Sequence, residues 1–281
     1  MKKLLVLLAG LTLSSIYASP VLSPDTASMD RKGLFFCDDD CRWFSVRGGF
    51  RGDYVFDRHL SQNGPDPVNV NRYSIFANEG VVTLNFWDRL DIYGLVGAAS
   101  QSIRASDSKN TGGQIAPIVS TPQYHYLNFS TGTIWGIGAR ATILEHNFGC
   151  CGTSYLGADI NYESIGSRKN SIDLENGVPA TTVNDNVSLQ SYQEMQVSVQ
   201  LGHKIARLTP YIAAKWSNAH LGVNTNNNWQ KGNKNEGFSN KNRHWGYAVG
   251  VSLVDVARMT VTAEARFVDE SAMTITGEFR F

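Results

Sequence analysis

Apolar and polar residues alternate along much of this chain with the two-residue period of a β-strand. The pattern is clearest at the C-terminus, where apolar or small residues at the odd positions of 273–281 alternate with threonine, glutamate and arginine. A strand with this period has one apolar face and one polar face. The same alternation recurs over about 43–56, 74–86, 90–100, 133–144, 154–163, 191–205, 208–218, 245–254, 259–268 and 273–281. The sequence therefore predicts at least ten strands.

Most of the predicted strands follow one another in pairs that short turns connect. Trp87-Asp88-Arg89 and Ala206-Arg207 are two of these turns. Segments rich in Asn, Ser, Gly and Thr separate the pairs, at about 57–73, 101–130, 164–190 and 219–243. Short turns on one side and long polar loops on the other are typical of bacterial outer-membrane barrels. We therefore predict an all-β fold, a transmembrane antiparallel β-barrel. Polar stretches such as Tyr124–Phe129 leave room for further strand pairs, so the prediction is ten to fourteen strands.

A soluble β-sandwich would show the same alternation, because its inward faces also repeat every second residue. Two features favour the barrel. Many of the predicted strands exceed the usual length of strands in soluble proteins. Aromatic residues also lie near predicted strand ends, as they do in the girdles of membrane barrels. These residues are Trp87, Trp135, Trp216, Trp245 and Tyr247.

The N-terminus has the composition of a secretory signal peptide. Two lysines precede an apolar run from Leu4 to about Leu13, and small or polar residues follow up to Ala18. The apolar run is too short to cross a bilayer as a helix. We predict a signal peptide at 1–18, a periplasmic N-terminal segment at 19–42 and the transmembrane barrel at 43–281.

The charge balance of the chain bears on its partners. The sequence contains 25 Lys+Arg and 25 Asp+Glu, and loss of Lys2 and Lys3 with the signal peptide leaves 23 basic residues against 25 acidic ones. A nucleic-acid partner usually demands a basic surface, so none is predicted. Hydrophobic residues make up 42% of the chain, yet they are spread in alternation. A barrel in contact with outer-membrane lipid has this distribution.

Several short segments resemble the chlamydial major outer membrane protein family. They are Cys37–Cys41, Gly52–Arg58, Asn85–Asp91, Thr209–Ser217, Gly246–Gly250, Val254–Asp255, Ala263–Glu270 and Glu278–Phe281. The resemblance implies an outer-membrane porin that also stiffens the envelope through disulfide cross-links to cysteine-rich envelope proteins. The chain is shorter and poorer in cysteine than typical members, so it resembles a divergent or shorter member of the family.

The four cysteines are the most distinctive group of reactive residues: Cys37, Cys41, Cys150 and Cys151. If the short turns face the periplasm, all four thiols lie on the periplasmic side. Two interpretations remain open, intramolecular bridges that hold the N-terminal segment to the barrel rim, or reversible intermolecular disulfides. Adjacent cysteines pair with each other only under strain, and strained disulfides are the labile ones. A zinc site is disfavoured, because the sequence has no closely spaced histidine pair and no second CxxC.

The polar faces of the strands carry charged residues that are costly in lipid, so these faces predict a polar interior. The predicted pore-lining residues are Arg47, Arg51, Asp53, Asp91, Arg140, Asp159, Glu194, Lys215, Glu264, Arg266, Glu278 and Arg280, and the same faces carry Glu79 and Glu163. In a barrel of ten strands we expect these charges to pair and plug the lumen, whereas fourteen strands would leave an open channel. Six basic groups against eight acidic ones predict weak charge selectivity at most.

The last predicted strand ends on an aromatic residue with no polar tail, as the closing strands of outer-membrane barrels do. We predict that this strand forms the seam of the barrel and that Phe279 and Phe281 are its assembly signal.

A porin for diffusion of small hydrophilic solutes is the leading functional hypothesis, with a structural role in the envelope through the periplasmic thiols. The alternative is a closed structural or adhesive barrel without a conducting pore. An enzyme is disfavoured, because the six histidines are dispersed and none has an acid and a nucleophile at the spacing of a triad. No cofactor or metal is predicted. Trimers are common among porins, but no residue of the sequence identifies a subunit interface.

Overall fold

Ten long antiparallel strands form one closed barrel in the computed structural model. The residues that the structure describes are 44–62, 69–87, 89–106, 124–149, 152–166, 168–175, 178–179, 187–225, 236–239, 244–255 and 259–281. The long strands are β1 (Phe44–Arg58), β3 (Asn69–Phe86), β4 (Leu90–Ser106), β5 (Tyr124–Asn147), β6 (Thr153–Ile165), β9 (Val187–Lys204), β10 (Leu208–Thr225), β12 (Trp245–Asp255), β13 (Met259–Phe267) and β14 (Glu270–Arg280). They pair in this order around the barrel, and β14 pairs with β1. The predicted fold class is confirmed at ten strands.

Four short strands extend the wall on the side of the long loops. They are β2 (Ser61–Gln62), β7 (Arg168–Glu175), β8 (Val178–Pro179) and β11 (Glu236–Ser239). β7 pairs with β5 at residues 125–129, beyond the point where β6 has ended. β11 pairs with β10 in the same way beyond the end of β12, and β2 pairs with β11. We call this end of the barrel the loop end and the opposite end the turn end.

The predicted strands are confirmed, but the strands reach further toward the loop end than predicted. β3 begins at Asn69, β4 ends at Ser106 and β10 ends at Thr225, all inside segments that the sequence predicted as loops. The prediction of an additional strand pair near Tyr124–Phe129 is wrong, because these residues form the beginning of β5. A strand that extends beyond the lipid needs no apolar outer face, so its sequence looks like that of a polar loop. The predicted segments at 1–18 and 19–42, and all four cysteines, lie outside the described residues.

Side chains alternate between an apolar outer surface and a polar interior. Phe50, Val82, Ile137, Ile212 and Val251 are among the large apolar residues exposed on the outer surface. The residues that alternate with them are buried and include most of the charged residues of the strands. This distribution is that of a transmembrane barrel, in which the outer face meets lipid. No helix in the described part of the chain is long and apolar enough to cross a membrane.

The predicted aromatic residues at strand ends are found there in three of five cases. Trp87 follows β3, and Trp245 and Tyr247 lie at the start of β12; all three are exposed. Trp135 and Trp216 lie in the middle of β5 and β10 instead, because both strands extend further toward the loop end than predicted.

Three interior tyrosines each lie opposite a glycine of a neighbouring strand. The pairs are Tyr93 with Gly138, Tyr155 with Gly202, and Tyr211 with Gly250. A Cβ atom at each of these glycines would overlap the facing tyrosine ring. An aromatic ring that covers a glycine of the adjacent strand is a known device for fixing strand register. These pairs fill part of the interior near the turn end.

Candidate functional site: the charged interior

All twelve residues that were predicted to line a pore are buried in the barrel interior. The inward faces of the strands place them there, as the alternation indicated. Most of them form three groups of ion pairs, which we call the turn-side, central and loop-side clusters. Arg280 lies on the same inward face of β14, two residues beyond a member of the turn-side cluster.

The turn-side cluster surrounds Asp91, which lies between two arginines. Its Oδ2 atom accepts hydrogen bonds from Arg47 and, at 2.7 Å, from Nε of Arg140, while Asn85 donates to Oδ1 at 2.7 Å. Glu278 lies 3.1 Å from Nη2 of Arg140 and 3.5 Å from Nε of Arg47. Because β5 and β14 are four places apart in the ring of ten strands, the Arg140–Glu278 pair crosses the lumen.

The central cluster is built on Arg51, whose side chain has no exposed surface. Its Nε donates to Glu79 on the neighbouring strand β3, and its Nη2 donates to Glu163 on β6. β1 and β6 are also four places apart in the ring. A second ion pair therefore crosses the lumen, nearer to the middle of β1.

Two further acidic residues are held by tyrosines. The hydroxyl of Tyr93 donates to Oδ2 of Asp159 at 3.0 Å, and Asn161 donates to Oδ1 of the same carboxylate at 2.8 Å. The hydroxyl of Tyr211 donates to Glu264 at 2.8 Å. The predicted residues Asp159 and Glu264 are thus fixed by neutral hydrogen-bond donors, and neither carboxylate is left without a partner.

The loop-side cluster surrounds Glu270, the first residue of β14. Its carboxylate contacts three cations: Nη1 of Arg58 at 2.7 Å, Nε of Arg266 at 2.9 Å, and Nζ of Lys215. Arg58 also donates to Glu194 on β9, which lies directly opposite β1 in the ring. A third ion pair thus crosses the lumen.

The remaining members of the loop-side cluster tie it to the β13–β14 turn. Asp269 lies 2.9 Å from Nζ of Lys215 and accepts a hydrogen bond from Ser217 at 2.8 Å. The preceding residue, Val268, has a φ of 85°, which is rare for a β-branched residue. On the other side of the cluster, Arg266 lies 2.6 Å from Asp53. The buried Asp269 carboxylate thus fastens a strained turn to the interior.

Three members of the loop-side cluster, Arg58, Asp269 and Glu270, are not among the residues predicted from the sequence. The sequence predicts a loop at Arg58, because the pairing of β1 with β14 shifts between Val55 and Asp57. The shift exchanges the inward and outward positions of β1 beyond this point. Glu270 lies on the even-numbered, inward face of β14, so continuing the C-terminal alternation backwards would have found it. Asp269 lies in a turn, where alternation carries no information.

Two of the cross-lumen pairs bring a cation to acidic residues that repel each other on the barrel wall. Glu163 and Glu194 lie directly opposite each other on β6 and β9. Like charges in such positions repel, and a buried charge is costly unless it is paired. Two arginines of β1 neutralise this pair: Arg51 contacts Glu163, and Arg58 contacts Glu194. The clusters therefore stabilise the barrel from inside as well as filling it.

The interior has more acidic than basic groups. The buried charged residues of the described chain are seven basic ones (Arg47, Arg51, Arg58, Arg140, Lys215, Arg266 and Arg280) and ten acidic ones (Asp53, Glu79, Asp91, Asp159, Glu163, Glu194, Glu264, Asp269, Glu270 and Glu278). No group of three His, Cys, Asp or Glu side chains within the described ranges is arranged to hold a metal ion.

The fold and its interior together define the class of protein. Within a lipid bilayer every backbone polar group needs a partner, which a closed barrel provides. An antiparallel barrel with an apolar outer surface and a charged interior is the architecture of integral outer-membrane proteins. The chain is an outer-membrane protein that crosses the membrane with ten strands.

Comparison with known proteins shows which outer-membrane proteins this chain is similar to. The sequence profile described as Chlamydia major outer membrane protein matches residues 164–235. The major outer membrane porin, serovar B, of Chlamydia trachomatis is 26% identical over 396 aligned positions, which cover 100% of this chain and 99% of that protein. The major outer membrane porin of Chlamydia pneumoniae is 25% identical over 96% of each chain. The predicted resemblance to the chlamydial major outer membrane protein family is confirmed as a similarity that extends over the whole chain at about a quarter identity.

Solved structures show more distant likenesses. The outer membrane protease OmpT from Escherichia coli aligns with 85% of this chain and 92% of its own, at 8% identity and a TM-score of 0.41. A likeness of this size says nothing about activity.

Proposed function

We propose that this chain is an outer-membrane porin through which small hydrophilic solutes diffuse. The observation that carries the proposal is the charged interior of a closed, membrane-spanning barrel. Charged side chains in a membrane protein are costly unless they face a partner or water, so an interior with this many of them is suited to a hydrated path. The names of the relatives, major outer membrane porins, support the same function.

The ion pairs make this path narrow. Arg140–Glu278, Arg51–Glu163 and Arg58–Glu194 each join strands on opposite sides of the lumen. A barrel of eight strands is just filled by its own side chains, and ten strands add little width. A solute passes only when cross-lumen pairs separate or let water between them. We therefore expect small conductance steps.

One observation favours a second function, a closed barrel that serves the structure of the envelope. The side chains of the three clusters are buried, with exposed fractions of 9% or less. A barrel whose pairs never separate would conduct nothing. This is the plugged barrel that ten strands led us to expect.

Single-channel recording of the purified mature protein in planar bilayers distinguishes the two functions. The informative variant replaces both Arg140 and Glu278 by alanine, because Arg47 and Asp91 then remain paired with each other. We expect stepwise conductance from the unchanged protein and a larger step from this variant, since one cross-lumen pair is gone. The proposed solute path needs no catalytic group and no cofactor.

The matched control removes an exposed pair, Arg89–Glu145, whose atoms are 3.6 Å apart near the turn end. Replacing both residues by alanine should leave the conductance step unchanged. No conductance from either folded protein would contradict the porin and favour the closed barrel. Equal conductance in the Arg140–Glu278 variant and the unchanged protein would place the solute path away from this pair.

A further inference from the structure

The interior contains an apolar layer toward the loop end, beside the loop-side cluster, whose members Arg58 and Glu270 lie beyond Val55 and Ala272 of the layer on β1 and β14. Its members belong to one buried cluster: Val55, Leu60, Tyr73, Ile75, Ala77, Ala99, Ile103, Phe129, Ile134, Ile165, Tyr192, Ala219, Leu221, Phe238 and Ala272. They come from the loop-side halves of the long strands and from the short elements beyond them. A barrel with a uniformly polar lumen would have no such layer.

Side chains from opposite walls meet inside this layer. Tyr73 on β3 and Tyr192 on β9 have ring centroids 5.5 Å apart. β3 and β9 are four places apart in the ring of ten strands, so this contact spans the lumen. The exposed fractions of the two residues are 0% and 2%. The two rings therefore close the bore where they meet.

Both tyrosine rings are held in place by their hydroxyls. The hydroxyl of Tyr73 donates to Oε1 of Gln101 at 2.7 Å, and that of Tyr192 donates to Glu194 of the loop-side cluster. Buried tyrosine hydroxyls normally have such a partner. The rings cannot turn out of the lumen without losing these hydrogen bonds.

Two residues from outside the ten long strands complete the layer. Leu60 lies between β1 and β2, and Phe238 lies on β11, paired with Gln62 of β2 and Leu221 of β10. Both side chains are buried in the same cluster as the tyrosines. The segments beyond the long strands thus add apolar side chains to the layer in addition to extending the wall.

We propose that this apolar layer, centred on the Tyr73–Tyr192 contact, is the constriction that limits passage of solutes. This inference rests on the proposed porin function. The charged clusters can be hydrated once their pairs separate, because water solvates charged groups. An apolar constriction excludes water and ions by dewetting, so it is the higher barrier of the two. The charged clusters then influence which ions pass, and the layer limits the size of the conductance.

Alanine substitution of the two tyrosines tests the proposal. Tyr73→Ala, Tyr192→Ala and the double variant are reconstituted as full-length mature protein, and conductance in KCl is recorded in planar bilayers. We expect a several-fold larger step for each single variant and the largest step for the double variant. Leu221→Ala is a second variant of the same layer, which makes no ion pair, and it should also raise the conductance.

Two controls separate the layer from general loosening of the interior. Tyr73→Phe keeps the ring in the layer and loses only the hydroxyl, so it should raise the conductance far less than Tyr73→Ala does. Leu95→Ala shortens a buried apolar residue that belongs to a different cluster, with Val81 and Tyr93. It should leave conductance unchanged if the layer is the constriction.

The outcomes distinguish this inference from the porin function itself. If the unchanged protein conducts and the four layer variants show the same conductance step as it does, the layer is not the constriction, although the porin function stands. A silent unchanged protein with conducting tyrosine variants would support the layer as a closed gate. Silence from every folded variant would overturn both proposals.

Discussion

At the scale of single residues, Glu270 is a buried carboxylate that forms ion pairs with three cations. It contacts Arg58, Lys215 and Arg266, and no cation in this group depends on it alone, because Glu194, Asp269 and Asp53 are their other partners. Removing one member of a buried ion pair leaves uncompensated charge, which typically costs about 3–5 kcal/mol.

We expect Glu270→Gln to lower the free energy of unfolding by about 3 kcal/mol, near the lower end of that range, because each cation keeps one partner. Urea unfolding of the protein in lipid vesicles, followed by tryptophan fluorescence, measures the change. The control is Glu145→Gln, which breaks a largely exposed pair and should cost about 1 kcal/mol or less. Equal losses in the two variants would contradict a central role for Glu270.

Alternation alone predicted that Arg47, Arg51 and the other ten candidates face inward, because a strand's period is a local property of the sequence. Alternation did not predict that Arg58 faces inward, because a shift in strand pairing after Val55 exchanges the inward and outward positions along β1. It could not predict the partners, since Arg51 and Glu163 are separated by 112 positions. The cross-lumen pairs depend on how strands are arranged around the ring, which no local pattern reports.

At the scale of elements, the pairing of β14 with β1 closes the barrel. Their register runs from Arg47 opposite Arg280 to Arg58 opposite Glu270. Beyond the last pair, the backbone N–H of Phe281 donates to the carbonyl of Val46 at 3.0 Å. A Cβ atom on Gly48 would overlap the Phe281 ring, so that ring lies on the seam itself.

Deleting Phe281 should reduce the fraction of protein inserted in the outer membrane, because the seam loses its last hydrogen bond and the ring that covers Gly48. The fraction is measured as folded, heat-modifiable protein in isolated outer membranes. Phe281→Trp keeps an aromatic ring and the backbone, and we expect near-normal insertion. Normal insertion of the truncated chain would remove Phe281 from the proposed assembly signal.

At the scale of the whole molecule, four short connections and both ends of the barrel chain lie at one end, whereas the β13–β14 turn lies at the other. Phe44, where β1 begins, and the last residue of β14 are at the turn end, together with the connection between β5 and β6. In the sequence, Cys37 and Cys41 precede β1, and Cys150 and Cys151 belong to that connection. This arrangement supports the proposal that all four thiols serve the same side of the membrane.

If these thiols cross-link the protein to cysteine-rich envelope proteins, replacing Cys150 and Cys151 by serine should abolish high-mass species on non-reducing gels of intact envelopes. Exposed or strained disulfides are the labile ones, so the same species should disappear on mild reduction. The matched variant replaces Cys37 and Cys41 and shows whether the N-terminal pair contributes. High-mass species that persist in both variants would contradict the structural role of the cysteines.

The sequence by itself determined the class of this protein. Alternating faces, short turns and long polar loops are local features, and they were sufficient to predict an outer-membrane barrel with its charged residues inside. Only the tertiary structure decided that the barrel has ten strands, that pairs such as Arg58–Glu194 cross its lumen, and that Tyr73 and Tyr192 meet in an apolar layer. These features depend on closure of the barrel, because closure brings residues from opposite walls together. The spacing of residues along one strand does not determine which residues of the opposite wall they will contact.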